Sequence, residues 1–318
     1  MAAQSALVRA RDARIPPVLV VLAIALVAAP VFYPFLAPTD AYVYLAAGER
    51  LNDGHDLYRL APGDRIIASN PPYWDVPTLS PPLLGVFWRP LALLGAYGML
   101  IGWALSGIAF LIAIAAVAWR AGWVAAAATA ALAAPIGIQL GLGNVNGFVA
   151  LGLVAAWRWR ERPAVLGALV ATLAAVKLTP FVLLVWILAT RRFRAIAWFG
   201  VASVVLLALS LAGAGLTAHL DYFGVVQRTS SVGSSELSLA GLARMVNVPA
   251  DLARFAPILA LVIGAVFVVA FRSRPRLAFS ITVVLLVFGS PVVQSYWLAL
   301  LLVGLVPMTA SREINAKN

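Results

Sequence analysis

The sequence contains no cysteine, and only 11% of its 318 residues are charged. The absence of cysteine excludes disulfides, iron–sulfur clusters and thiolate metal sites. A soluble domain carries roughly 25% charged residues, so this chain has too little polar surface to cover a water-soluble globule of its size. Acidic residues are scarce as well, with 12 Asp and Glu against 23 Lys and Arg. These shortages argue against a soluble enzyme.

Long apolar runs make up most of what is present. Hydrophobic residues account for 63% of the sequence. Runs of roughly 20 residues, the length that crosses a bilayer as a helix, recur from one end of the chain to the other. Two examples are residues 15–36 and 195–216. We therefore predict an all-α polytopic membrane protein, with residues 1–318 forming a single transmembrane domain.

The net charge of +11 comes from arginines that lie in short clusters between the apolar runs. No basic patch is interleaved with aromatic residues, as expected at a nucleic-acid interface, so we predict no nucleic-acid partner. The clusters instead indicate the cytoplasmic ends of membrane spans under the positive-inside rule. They are formed by Arg9, Arg11 and Arg14, by Arg120, by Arg158, Arg160 and Arg162, by Arg191, Arg192 and Arg194, by Arg272, Arg274 and Arg276, and by Arg312 with Lys317.

Placing these clusters in the cytoplasm predicts a topology of about ten spans in the cell membrane, with both termini cytoplasmic. One of these spans is expected over residues 122–138. Two longer non-cytoplasmic segments follow from this topology, over residues 38–80 and 213–254. The region 81–119 is too long for one upright span. We expect Pro90 and Gly95 to divide it into a short interfacial helix and a returning span.

A second interruption is expected in residues 163–191, which basic clusters flank on both sides. A region that starts and ends in the cytoplasm must turn within the membrane. The simplest arrangement is two short helices that meet at Lys177-Leu-Thr-Pro180. Broken helices are tolerated where they are buried in protein or line a wet cavity.

The segment after the first span, residues 38–51, predicts an amphipathic helix on the outer membrane surface. Thr39 is a candidate N-cap, which places Asp40 in the first turn, where the helix dipole favours a carboxylate. Asp40 and Tyr44 are four residues apart and share a face. An ionised acid at this position suits a general base for a hydroxyl group. The alternative is that Asp40 only caps the helix.

The next motif, Gly54-His-Asp-Leu-Tyr58, holds one of only two histidines. Together with Asp53 and Asp56, His55 could ligate a divalent metal. The other interpretation is a polar turn after the helix, with Gly54 as its C-cap signal. We favour the turn, and we expect no metal site.

Further polar groups fall on the same predicted side of the membrane. Asn144 and Asn146 lie in a glycine-rich turn, where their amides could bind a sugar or tie down the turn. Lys177 lies within an apolar stretch, where a cation needs a partner. A phosphate would satisfy it, and so would a structural ion pair. Tyr296 follows a polar interruption that begins at Ser290.

The order of these features resembles the polyprenyl-phosphate-sugar-dependent glycosyltransferases of the C-type membrane fold, most closely glycosyltransferase family 87, which includes actinobacterial mannosyltransferases acting on phosphatidylinositol mannosides. The matching pieces are Asp40-x-x-x-Tyr44, Gly54-His-Asp-Leu-Tyr58, Ser80-Pro-Pro82, Gly143-Asn-Val-Asn146, Lys177-x-x-Pro180 and Ser290-Pro291.

The resemblance implies inverting transfer of a sugar, expected to be mannose, from a polyprenyl-phosphate donor to a lipid or glycan acceptor on the non-cytoplasmic face. Asp40 would be the catalytic base, and Lys177 would neutralise the phosphate leaving group. No cofactor is expected beyond the lipid-linked sugar as co-substrate, and the partners are the donor, the acceptor and membrane lipids. The substrate-binding residues expected are Tyr44, Asn144, Asn146, Lys177, Tyr296, His55 and Tyr58.

Two other interpretations stay open on the sequence. A lipid or solute transporter or flippase would use Lys177 and the broken helices as a site in the middle of the membrane. Apart from Lys177 and Arg89, however, the charges lie at interfaces or in loops, which disfavours coupled transport. The third interpretation is a non-catalytic scaffold derived from the enzyme fold.

Overall fold

The computed structural model describes residues 16–33, 38–60, 77–232 and 237–308, with side chains omitted at 228–232. Every regular element within these ranges is helical, which confirms the all-α prediction.

Fourteen α-helices are described, numbered here in chain order. They are α1 (Pro17–Phe32), α2 (Thr39–Asn52), α3 (Pro82–Ala92), α4 (Ala96–Ala121), α5 (Trp123–Ala131), α6 (Ala133–Leu142), α7 (Asn146–Arg158), α8 (Pro163–Val176), α9 (Leu183–Ala189), α10 (Phe193–Val232), α11 (Leu239–Met245), α12 (Ala250–Ala253), α13 (Ala256–Ala270) and α14 (Pro275–Phe288). A 3-10 turn (Thr179–Val182) precedes α9, and a C-terminal 3-10 helix (Ser295–Leu305) follows α14.

Three helical segments in the described ranges are long and apolar enough to cross a membrane: Ala96–Ala121, Phe193–Gln227 and Ala250–Ala270. The bent pair α5 and α6 brings the number to four if it forms one span. Five shorter apolar helices accompany them: Pro17–Phe32, Pro163–Val176, Thr179–Ala189, Pro275–Phe288 and Ser295–Leu305. The chain is therefore a membrane protein, and the ten-span topology and the interfacial location of α2 stay predictions.

Both predicted interruptions are observed. The region 81–119 divides into α3 and α4 at Gly95, whereas Pro90, the other residue expected to mark the division, lies inside α3. The region 163–191 divides at Lys177, whose backbone is extended (φ −157°, ψ 128°) between α8 and the 3-10 turn. Pro180 accounts for the second break, because proline lacks the N–H that would continue the helical hydrogen bonds of α8.

One other region differs from the prediction. The expected single span 122–138 consists of α5 and α6, which are bent by 75° at Leu132. The ring of Pro135 would clash with the carbonyl of Ala131 in a continuous helix, which explains the bend. The second predicted non-cytoplasmic segment, residues 213–254, begins within α10 close to its kink at Gly215 (φ 78°, ψ 167°), and its side of the membrane stays a prediction.

The principal core is shared by most of the helices. Its largest fully buried side chains include Phe110 of α4, Trp186 of α9 and Phe279 of α14. Ring centroids lie 5.1 Å apart for Trp186 and Phe279 and 5.2 Å apart for Trp157 and Phe279. Aromatic pairs at these spacings contribute about 0.5–1.5 kcal/mol beyond the burial of their area. This cluster fixes α7, α9 and α14 relative to one another.

A second, smaller apolar cluster holds α2 against the rest of the protein. Ala41, Tyr44 and Leu45 of α2 pack with Trp88 of α3 and Val145, the residue before α7. The Tyr44 and Trp88 ring centroids are 5.6 Å apart. The polar start of α2 therefore lies beside the start of α7, and this arrangement positions the candidate site.

Candidate active site

Asp40 lies in the first turn of α2, as the sequence predicts, but it does not cap that helix. The N-cap position is Pro38 rather than Thr39, and no side chain makes a capping hydrogen bond there. The carboxyl group is directed to another part of the chain instead. Asn144 donates a hydrogen bond from Nδ2 to Oδ2 of Asp40 over 2.6 Å. The observed partner of Asp40 is thus 104 positions away in the sequence.

Asn144 joins the acid to two tyrosines. Its Nδ2 atom also lies 3.1 Å from the Tyr44 hydroxyl and 3.3 Å from the Tyr296 hydroxyl, and both oxygens accept. The Val145 backbone N–H donates to the Tyr44 hydroxyl over 3.4 Å. Asp40, Tyr44 and Tyr296 therefore surround one amide group, although they come from opposite ends of the chain.

The turn that carries Asn144 is fixed by its neighbours. Gly143 adopts φ +68°, a left-handed conformation that favours glycine. The Asn144 carbonyl accepts hydrogen bonds from the Ser106 hydroxyl and from Nε2 of Gln139, the latter over 3.1 Å. The Gly147 N–H donates to the same carbonyl over 3.2 Å. Contacts from α4, α6 and α7 therefore hold this turn in place.

Lys177 lies at the other end of the same network. Its Nζ atom donates to Oδ1 of Asn146 over 2.5 Å and lies 3.6 Å from the centroid of the Trp297 ring. Because an ammonium group can only donate, the Asn146 amide must present its oxygen to Lys177. Its Nδ2 atom then points elsewhere, and it is buried with no hydrogen-bond partner in the described residues.

A continuous path of hydrogen bonds connects the acid and the cation. It runs from Asp40 to Asn144, from Oδ1 of Asn144 to the backbone N–H of Asn146 over 2.8 Å, and from Asn146 to Lys177. The two asparagines are buried, at 5% and 0% exposure, whereas Asp40 and Lys177 keep part of their surface accessible. The arrangement places one carboxylate and one ammonium group at the two ends of an uncharged, hydrogen-bonded support.

The surroundings of Asp40 make its carboxylate a stronger base than an ordinary aspartate. Burial raises the pKa of the Asp40 carboxyl above its usual range, while the hydrogen bond from Asn144 and the charge of Lys177 oppose that rise. A carboxyl with a raised pKa holds an abstracted proton more firmly than an ordinary one. The helix that carries it, α2, is not among the apolar membrane-spanning segments.

Two predicted substrate residues lie outside this network. The Tyr58 hydroxyl donates to the Ser80 carbonyl over 2.6 Å, and the Tyr58 ring packs on Tyr222 with centroids 5.6 Å apart. His55 is exposed in a turn, with Gly54 at φ +74° and the His55 N–H donating to the Arg50 carbonyl. The polar-turn interpretation of this motif describes its local structure.

The described residues contain no group of three or more His, Asp and Glu side chains that could hold a metal ion. The second histidine, His219, has Nδ1 2.8 Å from the Gly215 carbonyl oxygen and Nε2 2.9 Å from the Ser210 hydroxyl. Both of its ring nitrogens are therefore engaged within α10.

Sequence reasoning missed three residues of the network: Ser106, Gln139 and Trp297. Ser106 and Gln139 are single polar residues within apolar helices, where a buried polar group needs a partner. That signal could have marked them, but it does not say which partner each would find. Trp297 adjoins Tyr296 at the start of the C-terminal 3-10 helix, and its role beside Lys177 follows only from the fold.

Comparison with known proteins supplies the family. No curated protein and no solved structure matches the chain. Residues 79–308 match glycosyltransferase family 87. This range includes Asn144, Asn146, Lys177 and Tyr296. It begins after α2, so Asp40 lies outside it. Because the match covers more than half of the sequence, the chain belongs to glycosyltransferase family 87.

Proposed function

We propose that this glycosyltransferase is an inverting enzyme that transfers mannose from a polyprenyl-phosphate donor to a lipid or glycan acceptor on the non-cytoplasmic face of the cell membrane. The observation that carries the proposal is the hydrogen-bonded path from Asp40 to Lys177 through Asn144 and Asn146. It supports a proton acceptor and a group that neutralises an anion within one small region. As whole residues, Asp40 and Lys177 are also only partly buried.

The reaction assigns a separate role to each charged group. The Asp40 carboxylate accepts the proton of an acceptor hydroxyl as its oxygen attacks the anomeric carbon of the donor sugar. The bond between that carbon and the phosphate oxygen breaks, and the electron pair leaves with polyprenyl phosphate. Attack opposite the leaving group inverts the anomeric configuration. The leaving phosphate needs no proton at neutral pH, but its negative charge needs a cation, and Lys177 supplies it.

The neighbours of Lys177 support an anionic ligand. Among the described residues, no carboxylate lies within 4.0 Å of its Nζ atom. Its contacts are the neutral amide of Asn146 and the face of Trp297. A lysine in apolar surroundings is a functional candidate, and the phosphate of a lipid-linked donor is an anion that would satisfy it. The sugar itself follows only from the family resemblance.

The decisive experiment compares two acid-to-amide variants in lipid nanodiscs with a polyprenyl-phosphate mannose donor. Asp40→Asn removes the proton acceptor, and we expect transfer to fall by about 10²- to 10⁴-fold. Asp53→Asn is the matched control, because Asp53 is an exposed acid at the end of the same helix. We expect it to retain full activity.

The product and the metal dependence test the remaining parts. Nuclear magnetic resonance of the glycoside should show an anomeric configuration opposite to that of the donor. Activity should survive a chelator, because Lys177 provides the positive charge at the leaving group. Full activity of Asp40→Asn, or a product with retained configuration, would overturn the proposed mechanism.

A further inference from the structure

The two asparagines of the site differ in whether their side chains keep a hydrogen-bond donor without a partner. Both polar side-chain atoms of Asn144 and its backbone carbonyl are engaged within the protein: Nδ2 with Asp40 and two tyrosines, Oδ1 with the Asn146 N–H, and the carbonyl with Ser106 and Gln139. Asn146 uses Oδ1 for Lys177 and keeps Nδ2 buried and unpartnered among the described residues. Of the two side-chain amides, only that of Asn146 has a donor without a partner among the described residues.

The orientation of each amide follows from its partners. The Asp40 carboxylate can only accept and the Asn146 backbone N–H can only donate, so Nδ2 of Asn144 must face the acid and Oδ1 must face the backbone. Turning the amide around would leave both contacts repulsive. The side-chain amide of Asn144 is thus held in one orientation, because Nδ2 must donate to Asp40 and Oδ1 must accept from Asn146.

We propose that Asn144 is a positioning residue for Asp40 rather than a sugar ligand, and that Asn146 is the asparagine that contacts the donor, through Nδ2. The inference rests on the proposed function, because it assigns Asp40 as the base. It also separates two residues that their shared turn had grouped as sugar-binding.

Asn144 acts by holding one carboxylate oxygen of Asp40 at 2.6 Å. Its carbonyl is in turn held by α4 and α6 through Ser106 and Gln139. The orientation of Asp40 relative to the incoming hydroxyl is therefore set by the protein before the acceptor arrives. Misplacing a reacting group by about 1 Å can lower a rate roughly 10²-fold.

The titratable groups that face Asp40 come from three elements. Tyr44 lies on its own helix, Tyr296 on the C-terminal 3-10 helix and Lys177 at the end of α8. The two tyrosines are neutral at neutral pH, and Lys177 in its charged form favours the ionised form of Asp40. A new negative charge at position 144 would oppose this effect at close range.

The test applies the same change to both asparagines. Asn144→Asp keeps the shape and the acceptor for the Asn146 N–H but replaces the donor that faces Asp40 with a carboxylate. We expect kcat to fall by about 10²-fold, with the donor KM within threefold of wild type, where threefold is about the scatter of such measurements. The like charge raises the pKa of Asp40, so the acidic limb of the rate profile should move to higher pH.

Asn146→Asp keeps the acceptor for Lys177 and removes the free Nδ2 donor. It also neutralises Lys177, so we expect the donor KM to rise by about tenfold or more, the equivalent of one lost hydrogen bond to a charged group. Because Lys177 favours the ionised form of Asp40, neutralising it should move the acidic limb of the rate profile to higher pH, but by less than the direct contact in Asn144→Asp does. Asn144→Asp should therefore change mainly kcat, whereas Asn146→Asp should change mainly the donor KM.

A separate variant controls for the effect of losing a buried polar group on folding. Thr282→Val removes a fully buried hydroxyl in α14, far along the chain from the site, and should leave kcat, KM and the pH profile unchanged. If Asn144→Asp does not yield folded protein, Ser106→Ala removes only one support of the Asn144 carbonyl. It should lower kcat by a smaller factor, again without raising the donor KM.

The outcomes distinguish the inference from the proposed function. In an Asp40→Asn background, adding Asn144→Asp should cost nothing further, because a residue that acts through Asp40 has no effect without it. If Asp40→Asn is inactive while Asn144→Asp shows wild-type kcat with an unmoved pH limb, or chiefly a raised donor KM, the positioning role is overturned. If Asp40→Asn is active, the proposed function itself fails.

Discussion

Lys177 donates a 2.5 Å hydrogen bond to Asn146 across 31 positions of sequence. The partner is a neutral amide, so the positive charge is held in place without being neutralised by it. The Trp297 ring covers the same ammonium group at 3.6 Å. An ion pair at this position would have blocked an incoming phosphate, whereas an amide and an aromatic face leave the charge available to it.

Removal of that charge should abolish recognition of the lipid phosphate. A ligand that binds only the folded state stabilises it by RT ln(1 + [L]/Kd), which is about 2.7 kcal/mol at a hundredfold excess over Kd. Polyprenyl phosphate should therefore raise the Tm of the wild-type protein in detergent, and Lys177→Met should lose this increase. Uncharged polyprenol is the control and should raise neither Tm. An equal increase in Lys177→Met would contradict a phosphate contact by Lys177.

The contact between Lys177 and Trp297 should be measurable as an energetic coupling. A cation over a tryptophan face contributes about 0.5–2 kcal/mol. Trp297→Leu alone also opens a cavity, so its effect on stability must be compared in two backgrounds. We expect Trp297→Leu to cost less in a Lys177→Met background than in wild type, and thermal unfolding of the four proteins gives the difference. A coupling near zero would show that the ring only fills space.

The turn that carries Asn144 should not tolerate a side chain at Gly143. The residue has φ +68°, and a Cβ atom there would lie 2.9 Å from Cδ1 of Trp103 and 3.0 Å from Cβ of Ala41. Strain of this kind costs about 1–3 kcal/mol, and the contact with Ala41 would push α2 and its acid away. We expect Gly143→Ala to lower both Tm and transfer activity.

Gly107 provides the matched control for that substitution. It lies within α4, and a Cβ atom there would meet nothing closer than Cδ2 of Leu140 at 3.8 Å. Gly107→Ala should leave activity unchanged and stabilise the helix by up to about 1 kcal/mol. Equal effects of the two substitutions would contradict a special role for the Gly143 turn.

An ion pair outside the candidate site predicts a pH dependence of stability. Arg192 donates to both carboxylate oxygens of Glu161 over 2.9 Å, in the turn between α7 and α8. These hydrogen bonds lower the pKa of Glu161. The stabilisation is thus present above the ordinary glutamate pKa and is lost as the pH falls through the lowered value. Because the carboxylate is 70% exposed, we expect less than about 1 kcal/mol.

Glu161→Gln should therefore unfold at a lower temperature than wild type at neutral pH, and the difference should vanish in acid. Asp53→Asn serves as an exposed-acid control on a separate segment. A Glu161→Gln deficit that persisted unchanged below the lowered pKa would show that packing, rather than the ion pair, explains it.

Much of the fold could be predicted because its signals are local. Apolar runs fixed where helices would lie, and Gly95 and Pro180 marked their breaks through backbone geometry. The bend between α5 and α6 carried a comparable signal in Pro135, which the apolar composition of 122–138 concealed. The number of spans is less accessible, since several apolar helices are shorter than the bilayer is thick.

The site was predictable only in part. Spacing placed Asp40 and Tyr44 on one face of α2, and the isolated charge of Lys177 indicated an unusual environment. That Asn144 would contact the acid could not be deduced, because the pairing crosses 104 positions and depends on how the helices pack. The supports from Ser106 and Gln139 depend on the same packing. A sequence shows which polar groups need partners, but not which partners they find.

The long separation of these contacts has a consequence for biosynthesis. Chains are made and inserted from the N-terminus, so α2 is in place well before the Asn144 turn. Tyr296, which is 152 positions beyond Asn144, arrives only with the C-terminal 3-10 helix. A nascent chain therefore carries its acid without its full set of partners until almost the whole described membrane region has been inserted. On the proposed function, the enzyme therefore becomes active only at a late stage of its insertion into the membrane.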